Sequence, residues 1–434
     1  MRRASHQGKR QAPPRRCARV ALWVLSAVLL SGTAAGQGPT RITLEQAIDL
    51  ALAHNHALKA ARTQVPQSQA QEVTAGLRPN PALSWDSQFL PVFSPDNFSA
   101  DNLNTLQQFD IGVSYLFERG GKRQRRLEAA RNQTLVTRSQ VADAERTLAF
   151  NVAQQFVGVL LAESNLELAQ QDLESFQNTV EISQARYQAG DISEADLLKI
   201  KLQLLQFQTD SSSAQLAKVQ ALASLRQLLG YDAVPADYDV AGEFTYQPVN
   251  FNLDDLKAKS LQQRPDLAAA QRGVTAADSQ RRLALANGKR DFSVGMNYSH
   301  VSGFSSASLF FGIDLPIFDR NQGEIARTRY ALTQAQESAS AASDQVLTDV
   351  GNAYEGFRAN QKVVELYVSG YLRQAQESRD ISEYAYRKGA ASLLDYLDAE
   401  RSYRATQLAY RQALASYMVS LEQLKQAVGT RNLP

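Results

Sequence analysis

Between Arg123 and Tyr187 there is no proline, and the only glycine is Gly158. Apolar residues recur at spacings of three and four, as in Leu148, Val152, Phe156, Val159 and Leu160. That is the period of a helix with an apolar stripe. At about 1.5 Å per residue the helix is on the order of 100 Å long, longer than a globular core accommodates. The pattern returns from about Ile325 to Tyr386, interrupted only by Gly351, Gly356 and Gly370. Gly190 and Gly389 follow the two runs and mark tight reversals. Gly230 and Gly429 close the returning segments. Each long helix is therefore predicted to fold back as a hairpin. Such hairpins bury little alone and need lateral neighbours.

The two hairpins belong to a duplication. Tyr187, Gly190, Ser193 and Asp196 match Tyr386, Gly389, Ser392 and Asp395 at one constant offset. The same offset pairs Gln208 with Gln407, Leu222 with Leu421, Leu225 with Leu424 and Gly230 with Gly429. Thr43-Leu44-Glu45-Gln46-Ala47 opens one half, Asn252-Leu253-Asp254-Asp255-Leu256 opens the other, and Leu58 corresponds to Leu267. Each half reads helix, strand, strand, long helix, long helix. The halves are placed at residues 37–240 and 241–434, with hairpins over about 119–230 and 321–429.

The strands alternate with a period of two. Phe109, Ile111, Val113, Tyr115 and Phe117 alternate with Gln108, Asp110, Gly112 and Ser114. Leu83, Trp85 and Phe89 alternate with Ser84, Asp86 and Gln88. In the second half Phe292, Val294, Met296 and Tyr298 alternate with Ser293, Gly295, Asn297 and Ser299; Leu309, Phe311, Ile313 and Leu315 alternate with Ser308, Gly312 and Asp314. Strands are predicted at about 82–90, 107–117, 291–301 and 306–317. Each is long enough to cross a bilayer when tilted, and apolar-out, polar-in alternation is the mark of a membrane barrel. The competing reading is a soluble sheet whose apolar face packs on the helices. A membrane sheet must close, and four strands per chain cannot, since the smallest barrels need about eight. Three chains give about twelve strands and a lumen wide enough for water. Residues 93–102 and the shorter Ser302-Gly303-Phe304-Ser305 are the expected outer caps.

The N-terminus supplies the export this requires. Arg15, Arg16 and Arg19 precede an apolar run from Val20 to Leu30, and Ser31-Gly32-Thr33-Ala34-Ala35-Gly36 follows. That is the order of a secretory signal, placed at residues 1–36. The net charge of +2 sets up no field favouring nucleic acid. In an exported chain the basic run from Gly120 to Arg126 reads as the strand-to-helix joint beneath the membrane. Cys17 is the sole cysteine, so no internal disulfide or cysteine-based metal site forms. His54 and His56 lie two apart and share no helix face, so no metal site is assigned. No nucleophile–base motif or phosphate loop is present, so neither an enzyme nor a cofactor is expected.

Taken together, these elements resemble a TolC-type outer-membrane factor from about Ile42 to Gly429. The likeness rests on the duplicated order, on Arg264-Pro265-Asp266-Leu267 at the second half, and on two Tyr-x-x-Gly-x-x-Ser-x-x-Asp turns. Within that family, Phe117–Arg123 and Ser392–Arg401 are most similar to the cobalt–zinc–cadmium efflux branch. The resemblance implies an α+β membrane protein: a trimeric twelve-strand barrel in the outer membrane, continued by an α-helical barrel across the periplasm. It implies docking on a periplasmic adaptor and an inner-membrane pump, of the RND type for this branch. Drug efflux and type I protein secretion remain alternatives within the class. A periplasmic coiled-coil scaffold would explain the hairpins but not four paired alternating strands.

Asp395 and Asp398 lie three apart and share a helix face near the second tip. In a trimer they would form two carboxylate rings, which attract cations at a constriction and match the acidic rings of the family. An ordinary solvated face is the competing reading. Asp196 is the first-half equivalent of Asp395, and the resemblance sets it beside Tyr386, where the family latches its closed state. The family's arginine on the second tip turn is here Ala391. Tyr187, Gly190, Ser193, Gly389 and Ser392 are expected to form the tips that meet the adaptor, or to act only as hairpin turns.

Overall fold

A computed structural model describes residues 40–105 and 107–433; the expected signal segment lies outside the described residues. The first half begins with β1 (Arg41–Ile42), α1 (Leu44–His54), α2 (His56–Arg62) and α3 (Gln64–Gly76). It continues with β2 (Ala82–Gln88), a 3-10 turn at Pro95–Asn97, α4 (Ala100–Thr105) and β3 (Gln108–Phe117). The hairpin α5 (Lys122–Gln188) and α6 (Glu194–Leu229) follows, then β4 (Asp239–Val240). The second half runs α7 (Leu253–Gln263), α8 (Pro265–Asn287), β5 (Phe292–Val301) and β6 (Phe304–Ile313). It ends with α9 (Gln322–Leu366), a π-helical segment Tyr367–Tyr371, α10 (Leu372–Arg387) and α11 (Leu393–Val428).

The duplication is visible at single residues. Leu58 and Leu267 are each the third residue of a helix, α2 and α8, and both are buried. Leu225 and Leu229 of α6 sit in one core cluster, and Leu424 and Val428 of α11 in another. A third cluster, Phe176, Ile200, Phe207, Tyr386, Leu393 and Tyr396, joins the two hairpins near their tips. Arg264 explains the Arg-Pro-Asp-Leu sequence. Its guanidinium donates to Asp266, to Asp349 on α9 and to the carbonyl of Ala427 on α11, while Pro265 begins α8, where no N–H is needed.

All four long strands form one antiparallel sheet in the order β2-β3-β5-β6. The two halves meet at β3 and β5, paired over ten residues from Gln108↔Val301 to Phe117↔Phe292. The register lines up the faces. Asp86 pairs with Asp110, Asp110 with Ser299, and Ser299 with Ser306, all on the polar side. Trp85, Ile111 and Tyr298 share the other side. Among the exposed side chains of that apolar side are Leu83, Trp85, Met296, Leu309 and Phe311. Among the described residues, β2 and β6 each keep one edge unpaired. No described helix is long and apolar enough to cross a membrane.

Two strands, β6 and β2, differ from expectation in their bounds. β6 starts at Phe304, because Val301 pairs directly with Phe304 and only Ser302 and Gly303 turn the chain. Both have positive φ, 50° and 77°, the conformation of a two-residue type I′ hairpin turn. The strand then ends at Ile313, leaving Leu315 outside it, ahead of Pro316. β2 ends at Gln88, and Phe89 follows at φ 60°. Gly303 N–H donates to the carbonyl of Asn104, tying the α4 segment to this turn.

Candidate functional site

The second tip turn is built by local capping. α10 ends in Gly389 at φ 74°, with Ala390 N–H donating to the carbonyl of Ala385 five residues back. The first tip repeats this with Gly190 at φ 83° and Asp191 N–H on Arg186. The positive φ is what glycine permits. Ser392 then caps α11, and Asp395 completes a capping box: its carboxylate accepts from Ser392 N–H at 3.2 Å and Ser392 Oγ at 2.7 Å. These hydrogen bonds hold the Asp395 carboxyl below the usual carboxylate range. Asp398 is exposed and has no hydrogen bond or ion pair with a described residue. Of the two predicted ring residues, Asp398 alone presents an uncommitted carboxylate.

Asp196 is likewise engaged, with Ser193 Oγ at 2.9 Å and Lys199 Nζ at 3.4 Å. It lines one groove with Tyr386, but the Tyr386 hydroxyl is buried without a hydrogen-bond partner among the described residues. The expected aspartate–tyrosine contact is therefore not closed within this chain. Arg186, from the first tip, approaches instead. It donates to the Tyr386 carbonyl at 3.0 Å and lies 5.3 Å from the ring centroid. Tyr386 stacks on Tyr396 at 5.4 Å, 8° from parallel. Tyr187, Gly190, Ser193, Gly389 and Ser392 are all exposed, whereas Tyr386, the repeat partner of Tyr187, is buried. The duplicated motif thus serves two different environments.

Further along the hairpins, Arg404 bridges Asp172 at 3.0 Å and Asp210 at 2.6 Å, and lies 4.4 Å from the Phe207 ring. Burial pushes Asp172 up despite Arg404 beside it. Burial likewise raises Tyr396 to about 12 and Glu400 to about 7. Sequence reading did not find this group, because its members are separated by up to 232 residues. The one local signal was charge on the apolar stripes of helices.

At the sheet-to-helix joint, three of the four basic residues that open α5 each have an acid. Lys122 pairs with Asp291 at 2.7 Å, Arg125 with Glu128 at 2.7 Å, and Arg126 with Glu118. These pairs offset most of the like charge at the helix N-terminus; Arg123 has no ion pair among the described residues. His54 and His56 fall at the break between α1 and α2, both exposed.

A family profile described as "Outer membrane efflux protein" matches residues 47–231 and 256–430. The chain belongs to the outer membrane efflux protein family. An outer-membrane location and an efflux role come with that membership. The two matched segments coincide with the two repeats, and the sheet and hairpins are those of its channels. The efflux protein is 24% identical to the cobalt-zinc-cadmium resistance protein CzcC of Cupriavidus metallidurans, covering 85% of each chain. It is 25% identical to the pyoverdine export outer membrane protein OpmQ of Pseudomonas putida, over 87% of this chain and 84% of that one. A crystal structure of CusC superposes with a TM-score of 0.72 at 21% identity, covering 89% of this chain and 92% of that one.

Proposed function

We propose that this efflux protein is a passive exit duct for heavy-metal cations, a homotrimer that receives cargo from a periplasmic adaptor and an RND-type inner-membrane pump. The observation that carries the duct is the sheet. Its register produces one apolar and one polar face, and both of its edges are unpaired among the described residues. Three copies joined edge to edge close about twelve strands around a wet lumen. Asp86, Asp110, Asn297 and Ser299 then line the passage. The similarity to CzcC supports a metal cargo. The comparable similarity to OpmQ supports a second reading, export of pyoverdine.

At the periplasmic mouth the gate is a ring of Asp398 carboxylates, held on α11 by the Ser392–Asp395 cap. Such a ring favours cations at close quarters. Asp398→Asn is expected to raise conductance and weaken block by multivalent cations in planar bilayers, with the cap intact. Unchanged conductance and unchanged block would remove the acidic gate. Deleting the gene tests the cargo. Loss of tolerance to zinc, cobalt or cadmium with drug tolerance intact supports metal export. Drug or dye sensitivity alone discards it.

A further inference from the structure

The two hairpins meet above their tips through a layer of charge in which Asp172 and Glu400 are buried and the other members are partly exposed. Glu400 and Arg404 sit one turn apart on α11. Glu400 is 9% exposed, and among the described residues its carboxylate has no hydrogen bond and no ion pair. Arg404 is committed elsewhere, to Asp172 on α5 and Asp210 on α6. From α10, Arg379 and Glu383 face the layer. Arg379 is bonded to Asp380 at 2.7 Å and lies 4.3 Å from the Tyr403 ring centroid. Glu383 is bonded to Arg387. On α11 itself Tyr396 and Tyr403 adjoin, and exposed Arg401 rims the groove that Glu400 shares with Asp210 and Phe207. Arg379, Arg387 and Arg404 thus each have a carboxylate, Arg411 faces Asp172 and Tyr403 from further along α11 and donates to Ser164 and Gln407, and Glu400 is the carboxylate without a partner.

We propose that Glu400 is a proton-operated clasp between the hairpins: protonated, it lets α11 seat against α5 and α6, and ionised, it drives α11 away. A carboxylate largely withdrawn from water at the edge of a groove, without a partner, is favoured in its neutral form. Burial is the main cause here; Arg379 and Arg404 offset part of it, and Asp172 and Glu383 add repulsion. The Glu400 pKa in the seated form is therefore raised, from the ordinary 4.5 to about 7. A raised carboxylate makes seating most favourable below the ordinary value, and that advantage is lost as pH rises through about 7. Across that window the seating equilibrium falls up to about tenfold per pH unit. The same hairpin contains a place to bend: the π segment Tyr367–Tyr371, with Gly370 at φ 157°, separates α9 from α10.

The test is a distance. Ser175 on α5 and Ser402 on α11 are exposed, and Cys17, the sole cysteine, lies in the expected signal segment. Spin labels at Ser175→Cys and Ser402→Cys in the assembled full chain report hairpin spacing at about pH 5 and about pH 9, either side of the midpoint. The expected result is a short, narrow distance at acid pH that lengthens or broadens at alkaline pH. Glu400→Gln, a neutral isostere, should hold the short distance at both. If the glutamine chain does not assemble, Glu400→Met replaces it with the same expectation. Identical wild-type distances at the two pH values, or a neutral variant that responds like wild type, overturns the clasp. The consequence for conduction rests on the duct reading. Absence of any bilayer current would count against the duct and leave the distances, and hence the clasp, to be judged separately.

Discussion

Gly429 shows how a single position can tie the end of one helix to the start of another. It closes α11 at φ 85°, and a Cβ there would stand 3.2 Å from the Cα and N of Arg264 and 3.1 Å from its Cγ. Arg264 is buried and cannot withdraw, because Asp266, Asp349 and the Ala427 carbonyl hold it. Gly429→Ala therefore meets both backbone strain and a close contact with backbone. The expected loss is about 2 kcal/mol, read as a lower thermal midpoint of the detergent-solubilised protein. Gly190, at φ 83° with open space around it, should lose less on the same change, since only the strain applies. Sequence alone paired Gly429 with Gly230 as helix-closing glycines, and both do close helices. It could not show what crowds Gly429, because Arg264 is brought there by the fold. The same limit applies to Asp395. Its spacing from Ser392 is the capping-box signal, and the cap commits a carboxylate that the three-residue interval to Asp398 also places in an expected ring.

At the scale of elements, legibility followed period length. The 67-residue α5 was readable because no proline or cluster of glycines interrupts it. The three strands β2, β3 and β5 were placed within a few residues by their alternation. β6 was displaced because Phe304 and Phe310 lie on the polar side of the sheet, in register with Val301 and Gly295. Its alternation therefore looked clean only from Ser308 onward. The turn before it offers a local test. A type I′ turn asks for positive φ at both central residues, which asparagine accepts more readily than serine. Ser302→Asn, giving Asn-Gly at 302–303, should stabilise the β5–β6 hairpin by about 0.5 kcal/mol. Slower hydrogen exchange at the paired amides around Val301 and Phe304 would show it; faster exchange would mean that the serine makes contacts that asparagine cannot replace.

For the whole molecule, the decisive property is that one sheet must satisfy lipid on one side and water on the other. Leu309 and Ser308 are neighbours in β6 and sit on opposite faces. Leu309 is 81% exposed in the isolated chain, an arrangement that water disfavours and that a bilayer requires. Ser308 pairs with Asn297 on the polar side. An arginine on the lipid face costs about 2–4 kcal/mol at mid-membrane depth, and a trimer incurs it at three positions. The same arginine in a wet lumen keeps its hydration. Leu309→Arg should therefore sharply reduce the yield of assembled outer-membrane protein, while Ser308→Arg assembles and alters ion selectivity instead. Heat-modifiable oligomer on gels, set beside bilayer conductance, separates the two. Equal assembly of both variants would mean that the apolar face of the sheet meets something other than lipid, and the sheet would lose its role as the wall of a membrane duct.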